Sequence, residues 1–349
     1  SDTDNDGWQD LILAGEWMPI RIFKNEKGKF KSIQSSGIEH KLGWWNSLAA
    51  GDFDNDGDMD YVAGNLGQNT LHRASDATPT KIYASDFNGD GTFDAIPTVF
   101  FKDQKGKRKE FPFNTRDDVA KQFIQTRKRF DTYAKFSVAG IQDVLTKEEL
   151  SKALVLEANW MNSSYIENLG NGKFRMYALP RLAQIAPVLA IQVQDFDDDG
   201  NLDMVISGND YGNEISTGRL DASKGLFLKG NGLGKFREIF LGQSGLNFDG
   251  DSKALVKIKS SKGSLLLMNS QNLGPIKTYQ LNKPTKDFLI NKEEFSATLT
   301  LKNGKKRKEE FSLGSTYMSQ NGQRIWLNSS VKNLDFYNQK QKKTRSIQN

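Results

Sequence analysis

Cysteine is absent from all 349 residues, which removes disulfide frameworks, thiolate metal ligands and cysteine nucleophiles at once. Histidine is nearly absent: His40 and His72 are the only imidazoles. Neither stands at a metal-ligand spacing or beside a G-x-S-x-G turn, so both read as loop residues and the expected catalytic set is none. No apolar run approaches the roughly 18 residues that a membrane-spanning helix needs. Charge of one sign is also lacking, since 48 basic and 43 acidic residues are interspersed for a net +5. That balance offers no basic stripe for nucleic acid. The chain opens at Ser1, without Met or a leading strand. This predicts a piece of a longer protein whose signal peptide would lie outside these residues.

What is present is a repeated acidic loop, D-x-[DN]-x-D-G-x-x-D. It occurs at Asp2–Asp10, Asp52–Asp60, Asp86–Asp94 and Asp195–Asp203, here called loops one to four. A hard cation such as calcium takes six to eight oxygens at about 2.3–2.6 Å, and alternate side chains of a tight loop can aim oxygens at one centre. The candidate side-chain ligands at positions 1, 3 and 5 are Asp2, Asp4 and Asp6; Asp52, Asp54 and Asp56; Asp86, Asn88 and Asp90; and Asp195, Asp197 and Asp199. The glycine at position 6 permits positive φ and turns the position-7 carbonyl inward. Those carbonyls belong to Trp8, Asp58, Thr92 and Asn201. Position 9, expected to close each site with a carboxylate, is Asp10, Asp60, Asp94 or Asp203. The Glu at position 12 and the flanking helices of the helical calcium loop are missing. Instead, each copy runs into a short apolar stretch, such as Tyr61–Ala63 or Met204–Ile206, that reads as a buried strand. Loops two and four, with acids at positions 1, 3, 5 and 9, are expected to bind calcium more tightly than loop three with its neutral Asn88.

A second signal accompanies the loops. Gly28-Lys29-Phe30 recurs as Gly172-Lys173-Phe174 and Gly234-Lys235-Phe236. Each marks a tight hairpin whose Phe is expected to anchor the returning strand. Loop, strand and hairpin repeated every few tens of residues predict an all-β fold, a partial β-propeller of about five blades over residues 1–283. The interval after loop three is too long for one blade. An insert over about 97–160 is expected to form a helical hairpin, with one helix in Thr115–Phe136 and a second opened by the Thr146–Glu149 capping box and running through Leu156. It would serve as a ligand lid or as a brace. Gly245–Lys253 keeps the loop glycine but has Lys253 at position 9, which predicts a metal-free blade. Residues 284–349 read as a small C-terminal β module with a hairpin at Asn303-Gly304. Its basic run Lys305–Lys308 is expected on an exposed strand edge, where it would discourage aggregation or touch a phosphate or acidic glycan.

The loops set between strands resemble FG-GAP/VCBS repeats, the calcium-binding blades of integrin-α-like propellers and of bacterial envelope proteins. Gly314–Asn321 followed by Arg324–Leu327 resembles the end of an ASPIC/UnbV module, with Asn328 where that pattern has Gly. The resemblance implies Ca²⁺ as cofactor and a secreted or surface-anchored bacterial scaffold, extracellular or in the cell envelope. Such a scaffold mediates binding or adhesion to an extracellular protein or polysaccharide. The competing reading is a calcium-dependent polysaccharide hydrolase or lyase with its site on the insert face. Trp17, Trp44, Trp45 and Trp160 offer rings for sugar stacking or for packing between blades.

Overall fold

The computed structural model describes residues 1–215 and 217–349 and is mostly β, with a few short helices. The chain divides into two compact units, one of Ser1–His40, Trp45–Asn69 and Asn162–Asn349, the other of Lys41–Trp44 and Thr70–Met161.

The larger unit is a series of antiparallel sheets. Loop one leads into a three-stranded sheet of Leu11–Leu13, Arg21–Glu26 and Lys29–Ser32. Loop two joins Ser47–Gly51 to Asp60–Gly64, and this pair is completed by Ser164–Asn168 and Phe174–Ala178. Loop four joins Ala190–Gln194 to Asp203–Ser207, followed by Leu226–Gly230 and Phe236–Ile239. The lapsed fifth loop precedes Ser252–Lys259, Leu265–Gln271 and Lys277–Gln280. The expected strands are therefore present; those that follow loops two and four, Asp60–Gly64 and Asp203–Ser207, are buried on both faces, as central strands of their sheets. Around Phe53, 1% exposed, the core packs Tyr165 and Phe236 edge-on. Burying one such ring is worth about 1.5–3 kcal/mol. The hairpin anchors differ. Phe174 is buried and Phe236 packs against the core, but Phe30 is 53% exposed, so the first hairpin extends past the edge of its core.

The sheet of loop two takes its first two strands from before residue 70 and its last two from after residue 161. Without the intervening segment, the distance from Asp52 to Phe174 shrinks to about that from Asp2 to Phe30. The segment is thus longer than the 97–160 insert expected from spacing. It also contains loop three, between Thr80–Ser85 and Asp94–Lys102, in a sheet with Arg108–Pro112 and Leu154–Ala158.

The helical hairpin is replaced by short helices in this smaller unit. Arg116–Gln122 ends where Phe123 leaves helical geometry to become fully buried beside Phe87. Tyr133–Ser137 restarts because the Thr132 side chain accepts the Lys135 N–H. The Thr146–Glu149 box forms reciprocally, but its helix stops at Lys152, and Leu154–Ala158 pairs with Thr80–Ser85 as a strand. Helical periodicity was real there, yet two side-chain caps and the demand for Phe burial cut it into single turns. His72 lies between the rings of Trp44 and Phe113, its Nδ1 3.2 Å from the Thr80 hydroxyl. Burial lowers it to about 4; it is a loop residue, as expected, and a buried one. Trp45 is buried with its indole N–H on the Met18 carbonyl, a packing role.

The C-terminal segment belongs to the larger unit. Lys306–Glu310, Glu294–Leu301, Val331–Asn338 and Lys343–Gln348 form a sheet in that order, and Lys286–Leu289 pairs with Arg324–Leu327. Between them, Thr316, Ser319 and Asn321 accept the backbone N–H groups of Ile191, Leu255 and Lys257. Their side chains thereby satisfy the edges of two blade-like strands that would otherwise be unpaired. Among the described residues no helix is long and apolar enough to cross a membrane.

Candidate metal centres

Each loop folds the same way for a local reason. The position-5 N–H donates to the position-1 carboxylate in all four loops, and the position-7 N–H donates to the position-5 carboxylate. These turns through Asp side chains bend the chain until alternate acids share one side. The position-6 glycines have φ of +87°, +95°, +86° and +92°, as expected. Position 4 also lies in the left-handed region at Asn5, Asn55, Gly89 and Asp198. Only Asn, Asp or Gly occupies it, the residue types that tolerate that conformation, and this was the unread signal in the motif.

The consequence is three acid triads: Asp2, Asp4 and Asp6; Asp52, Asp54 and Asp56; Asp195, Asp197 and Asp199. In each, one carboxylate oxygen per residue lies within 4.8 Å of the other two. Loop three has the same turn, but Asn88 supplies an amide whose Nδ2 donates to the Gln122 carbonyl. The position-9 acids stand apart from the triads. Asp60 accepts the Phe53 N–H and the Tyr165 hydroxyl on Oδ2 and the Asn168 N–H on Oδ1. Asp203 accepts the Phe196 and Gly230 N–H groups. Asp10 takes those of Thr3 and Asn25, and Asp94 that of Phe87. A carboxylate has about four lone-pair sites, so Asp60 has one left for a metal. Its first task is to tie the loop to the neighbouring strand.

Electrostatics favour an added cation. Burial pushes Asp52 up to about 6 against the pull of the Lys308 N–H. Burial and the charges of Asp56 and Asp52 push Asp54 up to about 6. Asp60 and Asp203 rise to about 8 and about 7, again chiefly through burial. Carboxylates that resist ionisation when crowded are stabilised by a divalent ion.

Two loops already contain a tethered cation. Lys24 pairs with Asp4 and Asp6, and Lys229 with Asp197 and Asp199. The residue after each, Asn25 or Gly230, donates its N–H to the position-9 acid. Asn168 does so for loop two, which places Glu167 where the other loops have lysine. Loops one and four must therefore displace an ammonium to take a metal, and loop two need not. Loops two and four, both expected to bind more tightly than loop three, are thereby distinguished from each other. Lys229→Met should tighten calcium binding at loop four about three- to tenfold, since a nearby like charge is worth about 1 kcal/mol at such a site. Calorimetric titration reads it, and an unchanged affinity would show that the lysine does not compete. In the lapsed fifth loop Lys253 pairs with Asp251 and Lys277 with Asp249.

The basic run Lys305–Lys308 is not a free edge. Arg307 is 2% exposed and donates Nη1 to the Gly200 carbonyl of loop four. The Lys308 N–H donates to Asp52 of loop two, and its ammonium reaches Asn5 of loop one and Glu310. The Asp2 N–H donates to Glu310, and Asn328 and Ser330 bond to Asp195. Loops one, two and four thus share one C-terminal strut, a long-range arrangement that local sequence does not announce.

Residues 2–63, which carry loops one and two, match the family model of the FG-GAP-like repeat. No curated protein matches the chain.

Proposed function

We propose that this chain is a calcium-stabilised β-propeller scaffold, secreted or held at the cell surface, that binds an extracellular protein or glycan. The observation that carries the reading is the threefold recurrence of one acid triad with the same hydrogen-bonded turn. In loops one, two and four, positions 1, 3 and 5 supply carboxylate oxygens and the position-7 carbonyl another, loop three offers the Asn88 amide at position 3, and position 9 acts chiefly by tying each loop to its neighbouring strand. Loop two, with a full acid triad and no tethered lysine, is the strongest site. The antiparallel three- and four-stranded sheets and the FG-GAP-like match support a propeller and an adhesive or scaffolding role. An extracellular setting suits loops of this kind, whose calcium affinity matches the millimolar levels found outside cells.

Terbium luminescence sensitised by nearby aromatic residues, with calcium back-titration, tests the metal reading. Saturable, calcium-reversible binding that Asp54→Ala weakens is expected, and no binding at about 10 mM calcium, roughly ten times the weak limit of extracellular sites, overturns it. A glycan array with a parallel reducing-sugar assay tests the role: retention without turnover is expected, and turnover of any glycan would sink the scaffold reading in favour of a hydrolase or lyase.

A further inference from the structure

We infer that the groove beside the hairpin of Asp94–Lys102 and Arg108–Pro112, in the smaller unit, docks an acidic peptide segment of a partner protein, with one apolar side chain entering the groove and the flanking carboxylates meeting the lysines of the hairpin. This surface rests on the binding part of the proposed function and not on its calcium part, since it uses none of the loop acids.

The hairpin sets Phe101 opposite Lys109 and Val99 opposite Phe111, so these four side chains share one face of the sheet. Val99 is buried, but Phe101 stays 42% exposed. The short helix Tyr133–Ser137 brings Phe136 to the same place, and Phe101, Phe111, Pro112, Phe136 and Ala139 wall a groove of about 220 Å³ that is open to solvent. The polar side chains on its wall are Lys102 and Ser137, and the Ser137 hydroxyl already donates to the Ala134 carbonyl. A sugar is held by several converging hydrogen-bonding groups and would find one ammonium here. A bilayer is entered by side chains that protrude, whereas this is a recess. One aromatic or branched aliphatic side chain fits it, as an anchor fits a pocket at an interface.

Charge sets the chemistry of the flanks. Residues 102–109 hold five cations, Lys102, Lys105, Lys107, Arg108 and Lys109, and one acid, Asp103. Asp103 Oδ1 accepts the N–H groups of Lys105 and Lys107, which folds the turn. Lys109 pairs with Asp143, and Glu110 accepts the Thr98 and Tyr83 hydroxyls. Setting these three acids against the five cations leaves two positive charges. Lys102, Lys105 and Lys107 are exposed, with no ion pair among the described residues. Lysines also guard open sheet edges, but this edge is covered by the chain itself: a Cβ on Gly140 would lie 2.9 Å from the Glu110 carbonyl oxygen. Lys105 stands beyond that edge, in the turn. An apolar recess ringed by unpaired cations is complementary to an apolar side chain between carboxylates.

The test titrates the calcium-loaded full chain with a fluorescein-labelled Glu-Glu-Phe-Glu-Glu peptide and reads anisotropy. Saturable binding to one site is expected. Replacing the peptide's Phe by Gly, or its Glu residues by Gln, should each weaken it about tenfold or more. On the chain, Lys105→Glu combined with Lys107→Glu should weaken it about tenfold, and raising salt from about 50 to about 300 mM should act in the same direction. Ser137→Trp, which plugs the groove, should reduce the Phe peptide to the affinity of the Gly peptide. It is read only if the melting temperature is retained; the lysine reversals lie on an exposed turn and decide the matter without it. Phosphatidylglycerol vesicles and polygalacturonate are titrated alongside. Absence of saturable peptide binding, whether or not the vesicles or the polygalacturonate bind, overturns the assignment. So does equal binding of the Phe and Gly peptides, or an affinity that the lysine reversals leave unchanged. Such a failure with terbium binding intact leaves the calcium reading standing.

Discussion

Removing calcium with EGTA should lower the melting temperature of this chain by about 5–10 °C. Each triad crowds three carboxylates within 4.8 Å, and in a partly dehydrated loop their repulsion opposes the folded turn unless a cation sits among them. A ligand that binds only the native state adds RT ln(1 + [L]/Kd). At millimolar calcium and an extracellular-type Kd of about 10⁻⁴ M, that is roughly 1.4 kcal/mol per site. Three sites sum to about 4 kcal/mol, and in a large domain each kcal/mol moves the midpoint by roughly 2 °C. The increment should shrink as pH is lowered from 8 to 5. Asp52 and Asp54, both pushed up to about 6, bind protons in that window and compete with the metal. Ionised triads bind calcium above it; protonated ones below it do not. Scanning calorimetry with and without EGTA at several pH values measures both effects, and equal midpoints with calcium and with EGTA at pH 8 would make the ions incidental.

Asp60→Ala should destabilise the larger unit by about 3–5 kcal/mol in calcium and in EGTA alike. The motif alone casts Asp60 as a closing metal ligand, whose loss would matter only with calcium present. In the structure its carboxylate is fully buried and receives the Phe53 N–H, the Asn168 N–H and the Tyr165 hydroxyl. Truncation orphans three buried donors at about 1–3 kcal/mol each, partly relieved by relaxation. Asn is no rescue, because its amide would point N–H groups at donors. Asp54→Ala removes a triad acid and should show its deficit of roughly 1.4 kcal/mol only in calcium. Denaturant melts of both variants in both conditions separate the cases. A deficit for Asp60→Ala that disappears in EGTA would show that position 9 acts through the metal after all.

The loops were legible because everything that makes them is local. Nine consecutive residues carry the acids, the turn-forming hydrogen bonds and the glycine, and no distant contact is needed to bring Asp52, Asp54 and Asp56 together. Strands after the loops were legible for the same reason, as apolar runs bounded by turns. The string of helices in the smaller unit was less so. A 3.6-residue period survives in Thr115–Phe136, but Thr132 and the buried Phe123 break it into single turns, and capping competes with propagation on a scale of about 1 kcal/mol.

By itself, then, the amino-acid order determined the acid triads, their glycine turns and the short buried strands that follow them, since each depends on neighbours a few residues away. Tertiary structure alone decided which repeat halves pair. Ser164–Asn168 completes the sheet of loop two across a segment that spacing assigned to loop three, because a strand with an open edge pairs with whichever partner satisfies its N–H and C=O groups, however far along the chain. It decided too that Lys24 and Lys229 lie on triads while Glu167 stands in their place at loop two. And it turned Arg307 from an exposed basic residue into a buried one, because the charge of a guanidinium is tolerated inside only where carbonyls or acids from distant segments converge on it.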